Sequence, residues 1–355
     1  MIDGVTNPPV GPAAVSPPRD VAAPAYPQLL RTPWHRWWRP LLGVLFATVV
    51  LVATGIAVVL AAMIARAVQE GSLDVSPDSL SPDTPLGLLA NDLVIAGLIP
   101  AAVLAVLVVH RSPVGRLFSV VGRVRWRWLL VCSGIAVVFV LVFYGLSIFV
   151  DVPGSDTSAP GAATVVGLLL VIAVSTPLQS AGEEVGFRGY LSQAVASWFS
   201  RPVVGTVAAG LASAGLFALA HGGQDPWLFA DRFCFGLTSS WLVWRTGGLE
   251  ASVALHAVNN LVSLGVTAVT SSIQDSLTSS TLDWRSALID VAMMIGYAVA
   301  VDRFAKRRAL DRVATPLPDR DSRRSALSRS SGVGYPDPRS STPSPTGEEP
   351  PWGMG

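Results

Sequence analysis

Charge is scarce in this sequence. Asp, Glu, Lys and Arg make up 14% of its 355 residues, against about 25% in an ordinary soluble domain. Hydrophobic residues make up 51% and the mean hydropathy is +0.51. That balance argues against a soluble globular chain and for a polytopic membrane protein. The net charge of +1 supplies no bulk basic field, so no nucleic-acid partner is expected. Cysteine is almost absent. Cys132 and Cys234 both lie in apolar runs, which supports neither a disulfide framework nor a zinc finger; they read as small core residues. No HExxH occurs, so a conventional zincin is not supported. Residues 1–30 lack the charged n-region and short apolar h-region of a signal peptide. No internal repeat is visible, and the polar groups in apolar surroundings lie in one half of the chain. A transporter built on inverted repeats would place matching broken helices in both halves.

Long apolar runs are what the sequence does have. A helix needs ~20 apolar residues to cross ~30 Å of hydrocarbon. Runs at about 41–65, 86–109, 129–149, 161–180, 203–220, 228–245, 250–270 and 284–302 meet that length. They predict an all-α polytopic membrane bundle of about eight transmembrane helices. Four regions follow: a disordered N-terminal tail over 1–35, N-terminal membrane helices over 36–155, a polar-bearing membrane domain over 156–305, and a second disordered tail over 306–355. Both tails are Pro-rich and without apolar period, and cannot bury enough surface to offset their ordering entropy. Basic residues recur on one side. Arg31, Arg36 and Arg39 precede the first run, "HRSPVGRLFSVVGRVRWRW" separates the second and third, and Arg303, Lys306, Arg307 and Arg308 follow the last. Arg66 and Arg285 are exceptions. By the positive-inside rule both termini are cytoplasmic, in a multi-pass protein of the cell membrane.

Ionisable groups inside apolar segments are costly, ~2.5–3.5 kcal/mol for a central charge, and mark function. Here they gather in the second half, Glu183, Glu184, Arg188, His221, Asp231, Arg232 and His256, with the polar Asn259 and Asn260 beside them. In "AGEEVGFRGYL" Glu184 and Arg188 are spaced to pair on one helical face, acid first. Glu183 points about 100° away and is left without that partner, as a proton acceptor in an apolar place would be. A charged helix end at the interface is the other reading. His221 ends "LFALAHGG", where a capping histidine is the ordinary expectation. In "SVALHAVNN", His256 and Asn260 share a face and Asn259 lies off it; an interhelical polar contact would explain the pair equally. Together the groups form a kit for hydrolysis: a glutamate to take a proton from water, a histidine to hold that water, and a His/Asn pair for an oxyanion. Glu183, His221 and His256 are equally a zinc-ligand set.

The three motifs, "EEVGFR", "FALAH" and "HAVNN", in that order, resemble the membrane-embedded CAAX prenyl endopeptidases and their bacterial relatives, the CPBP or ABI family. The resemblance covers about 160–270. It implies an intramembrane endopeptidase acting on a membrane-associated or CAAX-like peptide or protein, with or without lipid modification. It implies that Glu183 and His221 activate water, that His256 and Asn260 stabilise the oxyanion, and that Glu184 and Arg188 hold the motif. No cofactor is favoured, because asparagine is a poor zinc ligand; zinc on Glu183, His221 and His256 is the alternative. A non-catalytic polytopic scaffold, or a bacteriocin-immunity factor keeping the fold, is the alternative function. One strain is visible. His221 ends one helix, whereas His256 lies early in a helix two crossings later. Upright helices would separate them in depth, so a tilted or broken sixth helix, or re-entrant backbone, is expected.

Overall fold

The computed structural model describes residues 23–72, 76, 79–147 and 161–317. Among them the chain is helical, with no strand beyond isolated bridges. The long helices are α1 (Arg39–Glu70), α2 (Pro85–His110), α3 (Trp126–Ser147), α4 (Ala162–Ala196), α5 (Pro202–Leu219), α6 (Pro226–Thr246) and α7 (Glu250–Thr270). A short α8 (Ile273–Thr278) leads into α9 (Trp284–Arg307).

Local chemistry sets these boundaries. Pro85 opens α2 behind Thr84, whose hydroxyl accepts from the Gly87 amide at 3.1 Å. Pro226 opens α6 behind Asp225, whose carboxylate accepts from the Leu228 amide at 2.8 Å. Proline is tolerated there because the first helical amides have no partner inside the helix, and the Thr and Asp caps supply one. Gly71 and Gly247 end α1 and α6 at φ 65° and 70°, a left-handed turn that glycine makes without steric cost.

Six of these helices, α1 to α5 and α7, are long and apolar enough to cross a membrane. The expected sixth and eighth crossings form as α6 and α9 but miss that measure. Asp231, Arg232 and Arg245 interrupt α6, and Arg285, Asp290, Asp302 and Arg303 interrupt α9. The fourth apolar run was expected to end near residue 180, yet α4 continues to Ala196. Its last turns include a π-helical stretch, Val185–Leu191, directly after Glu184.

α4 lies between α2 and α7, and α7 between α3 and α4; α5 packs on α6, and α6 on α9. The buried cores between them are apolar, one of them centred on Phe217, Phe235, Leu255 and Tyr297. Large apolar side chains on the outside of α1, such as Leu45, Val49, Ile56 and Ile64, are exposed, as a lipid-facing helix requires. The multi-pass membrane reading rests on these faces and on the six apolar lengths.

Part of each expected tail is packed. Tyr26, Leu29 and Leu30 are buried, and the Ala314 amide donates to the Pro24 carbonyl at 2.9 Å. Arg31 donates to the Ser197 carbonyl at 2.7 Å. Residues 23–35 and 306–317 are therefore ordered, because apolar side chains in the first find a groove and the second pairs with it. Residues 1–22 and 318–355, the remainder of the expected tails, lie outside the described residues, as do 148–160.

The α2–α4 crossing is close at Gly182. A methyl group there would stand 2.9 Å from Ala96 Cα and 2.9 Å from the Ile95 carbonyl oxygen. Overfilling such a contact costs about 1–3 kcal/mol. Gly182→Val should lower the melting temperature in detergent by several degrees, whereas Gly134→Val, with no atom within 4 Å of the added carbon, should leave it unchanged. Equal melting of the two variants would contradict the close crossing.

Candidate active site

Glu184 is fully buried at the end of the regular α-helical part of α4. Its Oε1 accepts from Arg188 Nη1 at 3.0 Å and from His256 Nδ1 at 2.9 Å. Its Oε2 accepts from the Ser252 hydroxyl. The expected Glu184–Arg188 pair is present, and neither side chain has exposed surface. The Arg188 guanidinium carbon lies 4.1 Å from the Phe217 ring centroid and 5.4 Å from that of Phe235. A buried cation thus has a carboxylate on one side and the negative faces of rings nearby.

Glu183, which helical spacing leaves without the Arg188 partner, meets a residue of another helix. Its Oε2 lies 3.2 Å from His256 Nε2. The spacing within α4 could not show this, because the partner comes from α7. His256 therefore sits between the two glutamates, one ring nitrogen facing each. In its doubly protonated form it donates to both carboxylates; in the neutral form one contact loses its hydrogen. The His256 Nδ1 bond to Glu184 fixes the ring so that Nε2 faces Glu183.

Ser252, His256 and Asn260 recur every four residues on one face of α7, and each meets α4. Asn260 Nδ2 donates to Gln179 Oε1 and to Ser180 Oγ, both at 3.3 Å, and the Ser180 hydroxyl donates to Gln179 Oε1 at 3.2 Å. The expected His256/Asn260 face is present. Asn259 takes no part in these bonds.

His221 lies in the turn after α5 and is exposed. Its Nδ1 donates to the Phe217 carbonyl at 2.8 Å, which leaves Nε2 as the outward nitrogen. Desolvation by surrounding protein pulls the imidazole below its ordinary pKa, and the Glu183 carboxylate opposes that pull. Gln224 pins the turn: its Nε2 donates to the Ala218 carbonyl at 2.6 Å, and Arg232 Nη1 donates to its Oε1 at 2.8 Å. Arg232 thus serves this loop and was not foreseen to do so.

The depth problem resolves without a broken helix. α6 is continuous from Pro226 to Thr246. Phe217, in the last turns of α5, lies 4.8 Å from His221, 5.6 Å from Phe235 and 6.0 Å from His256, centroid to centroid. Phe235 lies 4.9 Å from His256. Phe235 belongs to the third turn of α6, and His256 to the second turn of α7. The Phe217 ring thus links His221 to Phe235 and His256 while α6 stays unbroken.

Sequence reasoning missed the supporting shell. Ser252, Gln179 and Ser180 carried a usable signal, since Ser252 precedes His256 by four residues and Gln179 precedes Glu183 by four. Asp92 was missed although it interrupts "LLANDLVIAGL". It is 2% exposed, and its Oδ2 accepts from the Ser175 and Thr176 hydroxyls at 2.7 and 2.9 Å, clasping α2 to α4 below the glutamates.

The donors do not fit zinc as they stand. His256 presents both nitrogens to carboxylates at hydrogen-bonding distance. Among the described residues no group of three His, Cys, Asp or Glu side chains is arranged to hold a metal.

An apolar bundle that buries a Glu–His–Glu–Arg chain beside a second histidine belongs to the class of membrane proteins with an intramembrane polar centre. Residues 162–262 match the family model described as type II CAAX prenyl endopeptidase Rce1-like, and all three motifs lie inside that match. The resemblance drawn from those motifs is borne out over this segment. The chain is also similar to the uncharacterized protein YyaK of Bacillus subtilis (strain 168), with 25% identity over 191 residues, 52% of this chain and 62% of that protein. It thus spans less than two thirds of that relative's length. No solved structure matches.

Breaking a buried ion pair by removing one partner costs about 3–5 kcal/mol, because the other charge is left uncompensated. Glu184→Ala should therefore strongly reduce the folded yield and melting temperature in detergent. Glu183→Gln, at a side chain 12% exposed, should melt within a few degrees of the wild type. Wild-type melting of Glu184→Ala would refute the structural role of Glu184.

Proposed function

We propose that the chain is an intramembrane endopeptidase that hydrolyses a peptide bond of a membrane-associated peptide or protein, using water activated by Glu183. The observation that carries this reading is the position of His256, 3.2 Å from Glu183 and 2.9 Å from Glu184. Glu184, itself held by Arg188, orients the ring as the third member of a catalytic triad orients its base. The family match over 162–262 supports a CAAX-type protease fold.

In this reading a water molecule lies between the Glu183 carboxylate and His221 Nε2. Glu183 takes its proton as the oxygen attacks the scissile carbonyl carbon. His256 Nε2–H and the Asn260 carboxamide stabilise the oxyanion that forms. As the tetrahedral intermediate collapses, the carbon–nitrogen bond breaks and Glu183 passes its proton to the leaving amine. Carboxylic acid and amine are released, and the glutamate returns to its starting state. No metal takes part. The protein lies in the cell membrane with both termini in the cytoplasm, and its substrate is anchored in the same bilayer, with or without a lipid group.

The test is cleavage by purified protein in detergent of two fluorogenic probes, a farnesylated CAAX peptide and an unmodified peptide carrying an apolar anchor. The wild type should cleave at least one. Glu183→Gln and His221→Ala should each lower kcat by about 10²–10⁴-fold, the range for general acid–base groups. A strong zinc chelator should leave the rate unchanged. Cleavage by Glu183→Gln at the wild-type rate would overturn the mechanism, and chelator sensitivity would overturn its metal independence. No cleavage of either probe by wild-type protein would favour a non-catalytic scaffold.

A further inference from the structure

Arg188 is fully buried, but its hydrogen bonding is incomplete. Nη1 donates to Glu184. Nε and Nη2 are buried and have no hydrogen-bond partner among the described residues. A guanidinium carries five N–H donors and can neither accept a bond nor give up its charge. The Phe217 ring, 4.1 Å from the guanidinium carbon, offers an attractive face but no oxygen acceptor. Buried donors of this kind are satisfied in native proteins by protein groups or by ordered water.

Arg188 also lines a small cavity, together with Tyr26, Ser192, Thr206, Gly210 and Ser240. The cavity leaves about 10 Å³ of room for water, at the edge of the roughly 10–15 Å³ that one molecule needs. Ala209 and Val243 make part of its wall, and hydroxyl groups much of the rest. Ser240 Oγ is buried without a hydrogen-bond partner. The Ser192 hydroxyl donates to the Phe187 carbonyl at 3.1 Å, which leaves its oxygen lone pairs open. Thr206 adds a third hydroxyl. The occupant must accept from a cation and exchange hydrogen bonds with hydroxyls in the space of one small molecule.

We propose that a single ordered water molecule fills this cavity, accepting from Arg188 and bonding the Ser240 hydroxyl. A halide is the other small acceptor. It is disfavoured by size and by the Glu183 and Glu184 carboxylates, whose charges both act on Arg188. The water ties α4 to α6 and extends the chain Glu183–His256–Glu184–Arg188 by two members, the water and Ser240. It fixes the plane of the guanidinium while Nη1 holds Glu184. Tyr26 and Pro27, from the packed N-terminal segment, line the same cavity. The site does not depend on hydrolytic activity.

The test is an experimental structure of the full chain at about 2 Å resolution, from crystals grown in chloride and again in bromide. The expected result is a density peak roughly 2.7–3.2 Å from both an Arg188 nitrogen and Ser240 Oγ, with no anomalous signal in bromide. An empty cavity, or a bromide peak in it, overturns the proposal. A second arm is Ser240→Val, which fills the space and removes the hydroxyl. Its melting temperature should fall by several degrees, and wild-type melting would count against the water.

Discussion

A carboxylate taken out of water must be surrounded by donors, because burying an unpaired charge costs far more than a fold's net stability. Glu184 meets that demand with Arg188, Ser252 and His256, and the rest of the site depends on it. Arg188 comes from its own helix. Ser252 and His256 come from α7, so the same carboxylate that secures the α4 turn also sets the rotation of α7. Once α7 is fixed in that register, His256 Nε2 must face Glu183 and Asn260 must face Gln179. The chemistry at Glu183 is a consequence of the packing at Glu184.

The surrounding bundle serves this seam. Gly182 lets α2 approach α4 one residue before the glutamates, and Asp92 fastens the same two helices through Ser175 and Thr176. On the other side, Phe217 and Phe235 connect His221 with His256 and cover Arg188. The charge pairs at the start of α7 and the end of α9 lie away from the site. Arg125 grips Glu250 with two nitrogens at 2.8 and 2.6 Å, and Asp302 holds Arg245 and Lys306. They anchor the helix ends and leave the centre to the smaller set of polar groups described above.

Much of this was legible in the sequence. Among the described residues a helix forms over each predicted apolar run, and six of these helices are long and apolar enough to cross a membrane. The Glu184–Arg188 pair and the shared face of His256 and Asn260 follow from helical spacing, which a sequence states directly. The His256 contact of Glu183 could not be read from spacing, which within one helix says nothing about a partner on another. The approach of His221 and His256 through Phe217 was expected to require a tilted or broken sixth helix or re-entrant backbone, because a sequence gives helix lengths but not how neighbouring helices are set against one another. Asp92 was overlooked, although a lone acid in an apolar run is the signal that located the other groups. The packed residues 23–35 were hidden by their proline content, which resembles a tail even where Tyr26, Leu29 and Leu30 find a groove.

Glu184 and His256 form one energetic unit. A double-mutant cycle on unfolding free energy in a reversible membrane-protein assay tests it, with Glu184→Gln, His256→Ala and the double variant. Directly bonded buried groups show coupling of about 0.5–3 kcal/mol. For this pair the expected coupling is about 1 kcal/mol or more. Additive effects, with no coupling beyond error, would contradict it.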